Sequence, residues 1–201
     1  MVTDIGCILN DPKEIILIIW INGAFGVGKS TVAEALHKKL PNSYLYDPEN
    51  AGAFIWQNIP DFLSRKGDFQ DIPLWREINR GMLQYITDHS DTTVIVPMTM
   101  VNSRYYREIT EYVDARQTPI FHVILSASKE TIIHRLAQRG EKKDSWAEQQ
   151  IDRCMSGLES MNGIVIDTNT QSVCAIADSI LKTIPNDMVL KKDLKNKDDI
   201  T

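Results

Sequence analysis

The chain has 201 residues, 43% of them hydrophobic, a formal net charge of −5 and a sequence pI of about 5.4. This length suits one domain, and the acidic balance excludes a broad basic surface for nucleic acid. The three cysteines form no C-x-x-C pair, which argues against a disulfide framework or a structural zinc site. The apolar run at residues 15–21 is too short to span a bilayer and follows acidic residues, so we expect a cytoplasmic protein without a signal peptide.

The first part of the chain alternates between strand and helix patterns. Residues 1–14 show no periodicity and are predicted to form a poorly ordered arm. The run IILIIWI predicts a parallel strand buried on both faces. A helix is predicted from Lys29 to Leu40, where Pro41 ends it, and SYLYD predicts a second strand that ends at Asp47.

Residues 49–88 differ in character, with several aromatic residues and two prolines as breakers, and we interpret them as a helical insert. One predicted helix is marked by apolar residues at helical spacing: Leu74, Ile78, Met82 and Tyr85. TTVIVPM then predicts a third strand, residues 103–115 a helix, and PIFHVILSA a fourth strand.

The last part of the chain continues the alternation. Ser128 is predicted to cap a helix that runs through Arg139, and residues 139–147 are predicted to form a small charged lid. Ser145 with Glu148 matches a capping box for a helix through Glu159. GIVID predicts the last strand, and an amphipathic helix closed by Pro185 precedes a polar tail at residues 186–201.

Alternating strands and helices predict an α/β fold: a five-stranded parallel sheet with helices on both faces, over residues 15–185. Ligands of such sheets bind beyond the carboxyl ends of the strands. The loops that follow the strands are therefore where a functional site is expected.

The loop after the first strand carries the strongest motif. GAFGVGKS matches the phosphate-binding loop (P-loop) pattern G-x-x-x-x-G-K-[ST], between an apolar strand and a helix. The predicted nucleotide-binding residues are Gly23, Ala24, Phe25, Gly26, Val27, Gly28, Lys29, Ser30 and Thr31. Their backbone N–H groups would surround the phosphates of ATP, the lysine would contact the outer phosphates, and the Ser30 hydroxyl would ligate Mg²⁺. A merely glycine-rich turn is the alternative interpretation.

The second strand ends in a carboxylate, Asp47, and Glu49 follows two residues later. A carboxylate there would accept a proton from an attacking hydroxyl or help to hold Mg²⁺. Alternatively, Asp47 caps a turn before Pro48. P-loop proteins usually place an acid at the end of another strand, but the third strand here offers Thr99 instead.

Three arginines near the predicted lid form a second group of candidates. Arg135 and Arg139 lie four residues apart on one helix face, and Arg153 lies beyond the turn. Together they would stabilise the charge of a transferred phosphoryl group, unless they only form a solvated surface. Asn169, after the last strand, is a further candidate for contact with the nucleotide base.

The insert is where an acceptor is predicted to bind, because it follows the carboxylate at the strand end. Aromatic side chains would stack on a planar ring and arginines would hold an anionic group. The predicted substrate contacts are Phe54, Trp56, Trp75, Arg76, Arg80 and Thr99. The alternative is that the tryptophans belong to the core.

The motif and four later segments resemble the tunicamycin-resistance protein family of P-loop proteins. These segments are YDPE at 46–49, PLW at 73–75, IVPMT at 95–99 and SWAEQQIDRC at 145–154. The resemblance implies a nucleotide-kinase-like fold, ATP binding and protection against a uridine-based nucleoside antibiotic, with Gly23, Gly28, Lys29 and Ser30 on the phosphates and Asp47 as the presumed base. It also implies a peripheral link to the membrane, and the absence of an acid at the third strand matches this family.

The leading hypothesis is therefore an ATP-dependent phosphotransferase that acts on a hydroxyl of a small nucleoside-like or sugar molecule. A second hypothesis is an ATP-gated binding protein that sequesters tunicamycin without modifying it. A nucleic-acid end kinase is a third, which the acidic charge disfavours. The sequence carries no signal of oligomeric state.

Overall fold

The computed structural model describes residues 17–64, 68–115 and 118–188. Five strands form one sheet, in which every neighbouring pair is parallel and the order is β2-β3-β1-β4-β5. The strands are β1 Ile18–Gly23, β2 Ser43–Leu45, β3 Thr93–Pro97, β4 Ile120–Ser126 and β5 Ile164–Asp167. The predicted α/β fold with a five-stranded parallel sheet is confirmed.

The described helices follow the strands along the chain, and the last of these helices comes after β5. They are α1 Lys29–Lys39, α2 Glu49–Asn58, α3 Asp61–Ser64, α4 Pro73–His89, α5 Ser103–Ala115, α6 Lys129–Gln138, α7 Trp146–Gln149, α8 Ile151–Glu159 and α9 Val173–Thr183. The helix predicted from Ser145 to Glu159 is therefore two helices, since α7 ends at Gln149 and Gln150 separates it from α8.

The central strand β1 is buried on both faces, as its continuous apolar run predicts. Its side chains alternate between two hydrophobic cores. Ile19 and Ile21 join the core formed with α1, α6, α8 and α9, whereas Ile18 and Trp20 join the core formed with α2, α4 and α5. Helices thus cover both faces of the sheet, as predicted.

The insert forms α2, α3 and α4 and packs on the second core. The helix predicted from its apolar spacing is present as α4, but a different stripe of it is buried. Trp75, Arg76, Asn79 and Leu83 face inward, whereas Leu74, Met82 and Tyr85 are 43 to 62% exposed. The inward stripe starts one residue later than the predicted one because it carries polar side chains that find partners inside the protein.

The predicted arm at residues 1–14 lies outside the described residues, and so does most of the predicted tail, apart from a short 3-10 turn at Asn186–Met188. Within the described part of the chain, no helix has the length and apolar character needed to cross a membrane.

Candidate active site

The loop between β1 and α1 has the backbone of a phosphate cradle. Gly23, Gly26 and Gly28 all have positive φ angles, of 149°, 81° and 108°. A Cβ atom at Gly23 would lie 2.8 Å from the Leu125 carbonyl oxygen, so only glycine fits there. A Cβ atom at Gly28 would meet nothing within 4 Å, which leaves space above the loop. Glycine is thus required at position 28 because of its positive φ angle, and at position 23 also because a side chain would lie too close to Leu125.

Lys29 crosses the mouth of this loop. Its Nζ atom donates hydrogen bonds to the carbonyl oxygens of Gly23 and Ala24, each at 3.0 Å, and lies 5.5 Å from the centre of the Phe25 ring. Burial lowers the pKa of Lys29 to about 8, and the nearby Glu49 carboxylate opposes this shift. A buried ammonium group whose only described hydrogen-bond acceptors are two neutral carbonyls is electrostatically suited to bind an anion.

The rest of the loop fits a polyphosphate. Ser30 and Thr31 are exposed in the first turn of α1, where backbone N–H groups and the helix dipole favour negative charge. The side chains of Ala24 and Val27 are buried in the core, so these two residues can contribute only backbone groups. Among the residues that the structure describes, no three acidic, histidine or cysteine side chains cluster as a metal site. The exposed Ser30 is the residue of the loop that would hold a magnesium ion.

Two carboxylates, Asp47 and Glu49, follow β2, and Glu49 acts electrostatically on Lys29. Asp47 is exposed beyond the end of β2, and its Oδ1 atom accepts a hydrogen bond from the Glu49 backbone N–H at 2.9 Å. The turn-capping role that the sequence left open is therefore present. Loss of solvation raises the pKa of Glu49; the Asp47 carboxylate raises it further, whereas Lys29 lowers it. Glu49 is thus electrostatically coupled to the P-loop, and the sequence had pointed to it only as a neighbour of Asp47.

Thr99 occupies the position after β3 where an acid was expected. It is 1% exposed, and its Oγ1 atom donates to the Gly23 carbonyl oxygen at 2.9 Å. Its own carbonyl accepts from Gln70 Nε2 at 3.0 Å. The prediction that Thr99 contacts substrate is contradicted, because its hydroxyl is directed at the backbone of the P-loop.

The three arginines have different surroundings. The Arg135 guanidinium donates to the Val27 carbonyl at 3.0 Å and to the hydroxyl and carbonyl oxygens of Thr168. It therefore ties the P-loop to the loop after β5, and these bonds fix its position. Arg139 is exposed at the end of α6 and acts electrostatically on Lys29. Arg153, on α8, forms an ion pair of 3.0 Å with Asp68.

A cleft of about 220 Å³ lies beside α1 and is lined by Thr31, Arg135, Gln138, Arg139, Thr168 and Gln171, among others. It is continuous with Val27 and Gly28 of the P-loop. Asn169 follows Thr168, but its side chain is engaged with the Asp167 carboxylate and the Ser128 N–H. The lining of the cleft thus includes Thr168 but not its neighbour Asn169, and Gln138 and Gln171 are polar lining residues that the sequence did not indicate.

The predicted substrate contacts in the insert do not come together. Trp75 is fully buried, donates through Nε1 to the Pro48 carbonyl at 3.0 Å and packs on Phe69, so its predicted stacking on a ligand is wrong. Trp56 is half-buried against the same phenylalanine, and Phe54 is 60% exposed. The alternative that a tryptophan belongs to the core holds for Trp75.

The two arginines of the insert, Arg76 and Arg80, also differ in their surroundings. Arg76 is buried, with Nε on the Glu108 carboxylate, a second nitrogen on the Gln70 carbonyl, and the Tyr105 ring 4.1 Å away. Its donors are used inside the protein, which contradicts its predicted role as an anion ligand. Arg80, one turn later, is exposed to solvent, unlike the buried Arg76.

A larger cleft of about 500 Å³ lies between α5, α8 and the segment before α4. Its polar lining consists of Asp68, Gln70, Asp71, Asn102, Ser103, Tyr105, Arg153 and Ser156. Asp68 acts electrostatically on Glu49, which in turn interacts with Lys29 of the P-loop. Of this lining only Arg153 was predicted, because the other residues come from separate segments without a motif.

Two of three comparisons with known proteins found similar proteins. The sequence profile of a family described as AAA domain matches residues 18–161. No sequence among the curated proteins matches the chain significantly. The tunicamycin resistance protein of Deinococcus radiodurans has a similar structure, with 28% identity, a TM-score of 0.68, and coverage of 83% of this chain and 94% of that one.

Two further similar structures are kinases. Shikimate kinase from Acinetobacter baumannii, solved with shikimate, has 18% identity and a TM-score of 0.57 over 84% of this chain and 93% of that one. APS kinase from Mycobacterium tuberculosis, solved with AMPPNP and APS, has 15% identity and a TM-score of 0.59 over 84% and 96%. At these identities the likeness concerns the fold. The resemblance to tunicamycin-resistance proteins is confirmed, and since the profile covers most of the folded residues, the chain belongs to the AAA domain family.

Proposed function

We propose that this protein is an ATP-dependent phosphotransferase that acts on a hydroxyl group of a small nucleoside-like or sugar molecule. The observation that carries the proposal is the Glu49 carboxylate, which interacts electrostatically with the buried cation Lys29 and has the Asp47 carboxylate next to it. A P-loop supports nucleotide binding, and an acid at its mouth adds a group able to accept the proton of an attacking hydroxyl.

Each part of the site has a role in this proposal. The backbone N–H groups from Gly23 to Thr31 and the Lys29 ammonium bind the β- and γ-phosphates. Ser30 holds Mg²⁺, which when bound offsets the negative charge of the phosphates. Asp47 accepts the proton, and Arg139 and Arg153 approach the transferred group. Arg135 positions the P-loop through the Val27 carbonyl.

The larger cleft between α5 and α8 is the proposed acceptor site. Its lining is polar, with carboxylates, hydroxyls and amides that suit a ligand rich in hydroxyl groups. Tunicamycin is the first candidate, since the similar Deinococcus radiodurans protein is named for resistance to it. A protein with this activity would protect a cell by modifying the drug.

The test is to incubate the purified protein with ATP, Mg²⁺ and tunicamycin and to measure the drug by mass spectrometry. We expect a mass raised by one phosphoryl group, and no product with Lys29→Ala. Asp47→Asn keeps an oxygen for the Glu49 N–H but removes the charge, so turnover should fall by about 100-fold or more. Unchanged turnover in Asp47→Asn would exclude Asp47 as the base.

A second candidate function is ATP-gated sequestration of the drug without chemistry. It is favoured by Thr99, which places a hydroxyl bonded to Gly23 where P-loop enzymes usually carry a carboxylate. In that case tunicamycin would elute with the protein, chemically unchanged and only when ATP is present. Asp47→Asn would then retain the drug, and Lys29→Ala would lose it.

A further inference from the structure

A buried polar network lies directly beneath the P-loop and takes no part in the proposed chemistry. It consists of Asn22, the last residue before Gly23, and His122 on β4, which are 0% and 9% exposed. The Asn22 side chain contacts the start of the P-loop and the segment after β3. It therefore joins the two backbone segments that frame the phosphate site.

The orientation of the Asn22 amide is fixed by backbone partners. Its Oδ1 atom accepts from the N–H groups of Gly23 at 2.9 Å and Met100 at 2.8 Å. Its Nδ2 atom donates to the Met100 carbonyl at 2.7 Å. Exchanging the oxygen and nitrogen would set an NH₂ group against two N–H donors, so the amide has one allowed orientation.

This orientation determines the protonation state of His122. Asn22 Nδ2 points at His122 Nε2 at a distance of 3.2 Å, so Nε2 must accept a hydrogen bond. The other ring nitrogen, Nδ1, lies 2.5 Å from the Asn162 carbonyl oxygen and must donate. The imidazole is therefore neutral with its proton on Nδ1; a proton on Nε2 would set two donors against each other.

The surroundings of the ring favour the neutral state. Tyr106 from α5 stacks on the imidazole at 4.8 Å and is the titratable side chain that faces it, while Asn22 from β1 and the Asn162 carbonyl from the segment before β5 are uncharged. Burial lowers the pKa of His122 below its usual 6.5, and the Asn162 carbonyl opposes this shift. Neutral His122 is thus the stable form at neutral pH, and protonation at lower pH disturbs Asn22.

We propose that His122, acting through Asn22, is a positioning residue for the phosphate site, and that the P-loop keeps its nucleotide-binding arrangement only while the imidazole is neutral. Protonated His122 displaces the Asn22 amide, which releases the Gly23 and Met100 N–H groups. This inference rests on the proposed nucleotide binding for its functional consequence, but the coupling itself is measurable without a nucleotide.

The first experiment uses the full-length protein without ligand. Histidine labelled with ¹³C and ¹⁵N should show His122 as the Nδ1–H tautomer at pH 7.5. The Gly23 and Met100 amide signals should then move together as pH falls from 8 to 5, with one shared pKa below 6.5. An Nε2–H tautomer, or amides that do not follow the histidine, would overturn the proposal. This measurement on the native sequence stands even if a variant does not fold.

The second experiment compares ATP affinity across the same pH range in His122→Gln and in the matched control His89→Gln. Glutamine can accept from Asn22 but does not titrate, and His89 is exposed at the end of α4. Each pH unit below the His122 pKa should weaken binding about tenfold in the native protein and the control. Protonation of ATP itself is common to all variants and cancels in the comparison.

The two experiments separate the possible failures. An equal pH dependence in His122→Gln would overturn the inference, whereas a weaker pH dependence in that variant alone would support it. If no variant binds ATP at pH 8 but the amides still follow His122, the proposed function fails while the coupling between His122 and the P-loop stands.

Discussion

At the scale of single residues, the site depends on a cation held in a poorly solvated position. Lys29 is 9% exposed, and burial lowers its pKa to about 8. Its hydrogen bonds to Gly23 and Ala24 supply neutral oxygens but no compensating charge. A phosphate group would supply that charge. Its binding would offset the free-energy cost of burying the Lys29 ammonium group, which favours affinity for an anion.

The first prediction concerns the pH dependence of this cation. Since the ligand-free lysine loses its proton above about pH 8, ATP binding must take up a proton there, and affinity should fall about tenfold per pH unit between pH 8 and 9.5. Lys29→Arg keeps its charge over this range and should show a flat profile. Isothermal titration calorimetry at several pH values measures both.

Lys38 provides the control for this prediction, because it is exposed on the same helix. Lys38→Arg should keep the native pH profile. If Lys29→Arg lost affinity above pH 8 as steeply as the native protein, the titrating group would have to be another residue.

At the scale of elements, α4 shows how the insert is anchored. The helix packs Trp75 and Leu83 into the core with α2 and α5, and Trp75 also donates to the Pro48 carbonyl. Arg76 adds contacts to Gln70, Tyr105 and Glu108. These contacts hold the insert in place beside the site, and its buried aromatic residues stabilise the insert.

The second prediction tests this role of Trp75. Trp75→Ala should lower the free energy of unfolding by about 3–5 kcal/mol, because a large buried side chain and its hydrogen bond are lost. Trp146→Ala, a matched change at a side chain that is 54% exposed, should cost less than about 1 kcal/mol. Urea unfolding followed by circular dichroism measures both values. Similar small losses in the two variants would show that Trp75 is not part of the core.

At the scale of the whole molecule, both hydrophobic cores meet at the sheet and support one site at its carboxyl edge. The P-loop follows the central strand β1, Thr99 follows β3, and Thr168 follows β5. Contacts from Thr99, Arg135 and Asn22 link these loops to one another. A nucleotide that binds there contacts the native state alone and should stabilise the entire fold.

The third prediction is a thermal shift with Mg²⁺-ATP. At 100 times its dissociation constant, a ligand that binds only the native state adds about 2.7 kcal/mol, which raises the Tm of a chain of this size by roughly 5–10 °C. Differential scanning calorimetry should show this shift in the native protein and in Lys38→Ala. Lys29→Ala should show none. Equal melting temperatures with and without the nucleotide would contradict nucleotide binding.

The sequence by itself determined the features that depend on local spacing. A run of seven apolar residues predicts a strand covered on both faces, and G-x-x-x-x-G-K-S after such a strand predicts a loop with positive φ angles. The alternation of strands and helices then gives the parallel sheet and the edge at which the site lies. Capping by Ser128 was predictable for the same reason, since its partner is three residues away.

Only the tertiary structure decided which side chains face the ligand. Trp75 and Arg76 look like candidates until the fold brings them their partners Pro48 and Glu108, which are 27 and 32 positions away. The Asn22–His122 contact spans 100 positions, and the larger cleft draws its lining from several separate segments. The spacing of residues along a helix or strand determines which side chains share a face of that element. Burial and hydrogen bonding depend on the segments that pack against the element, and these are determined by the whole fold.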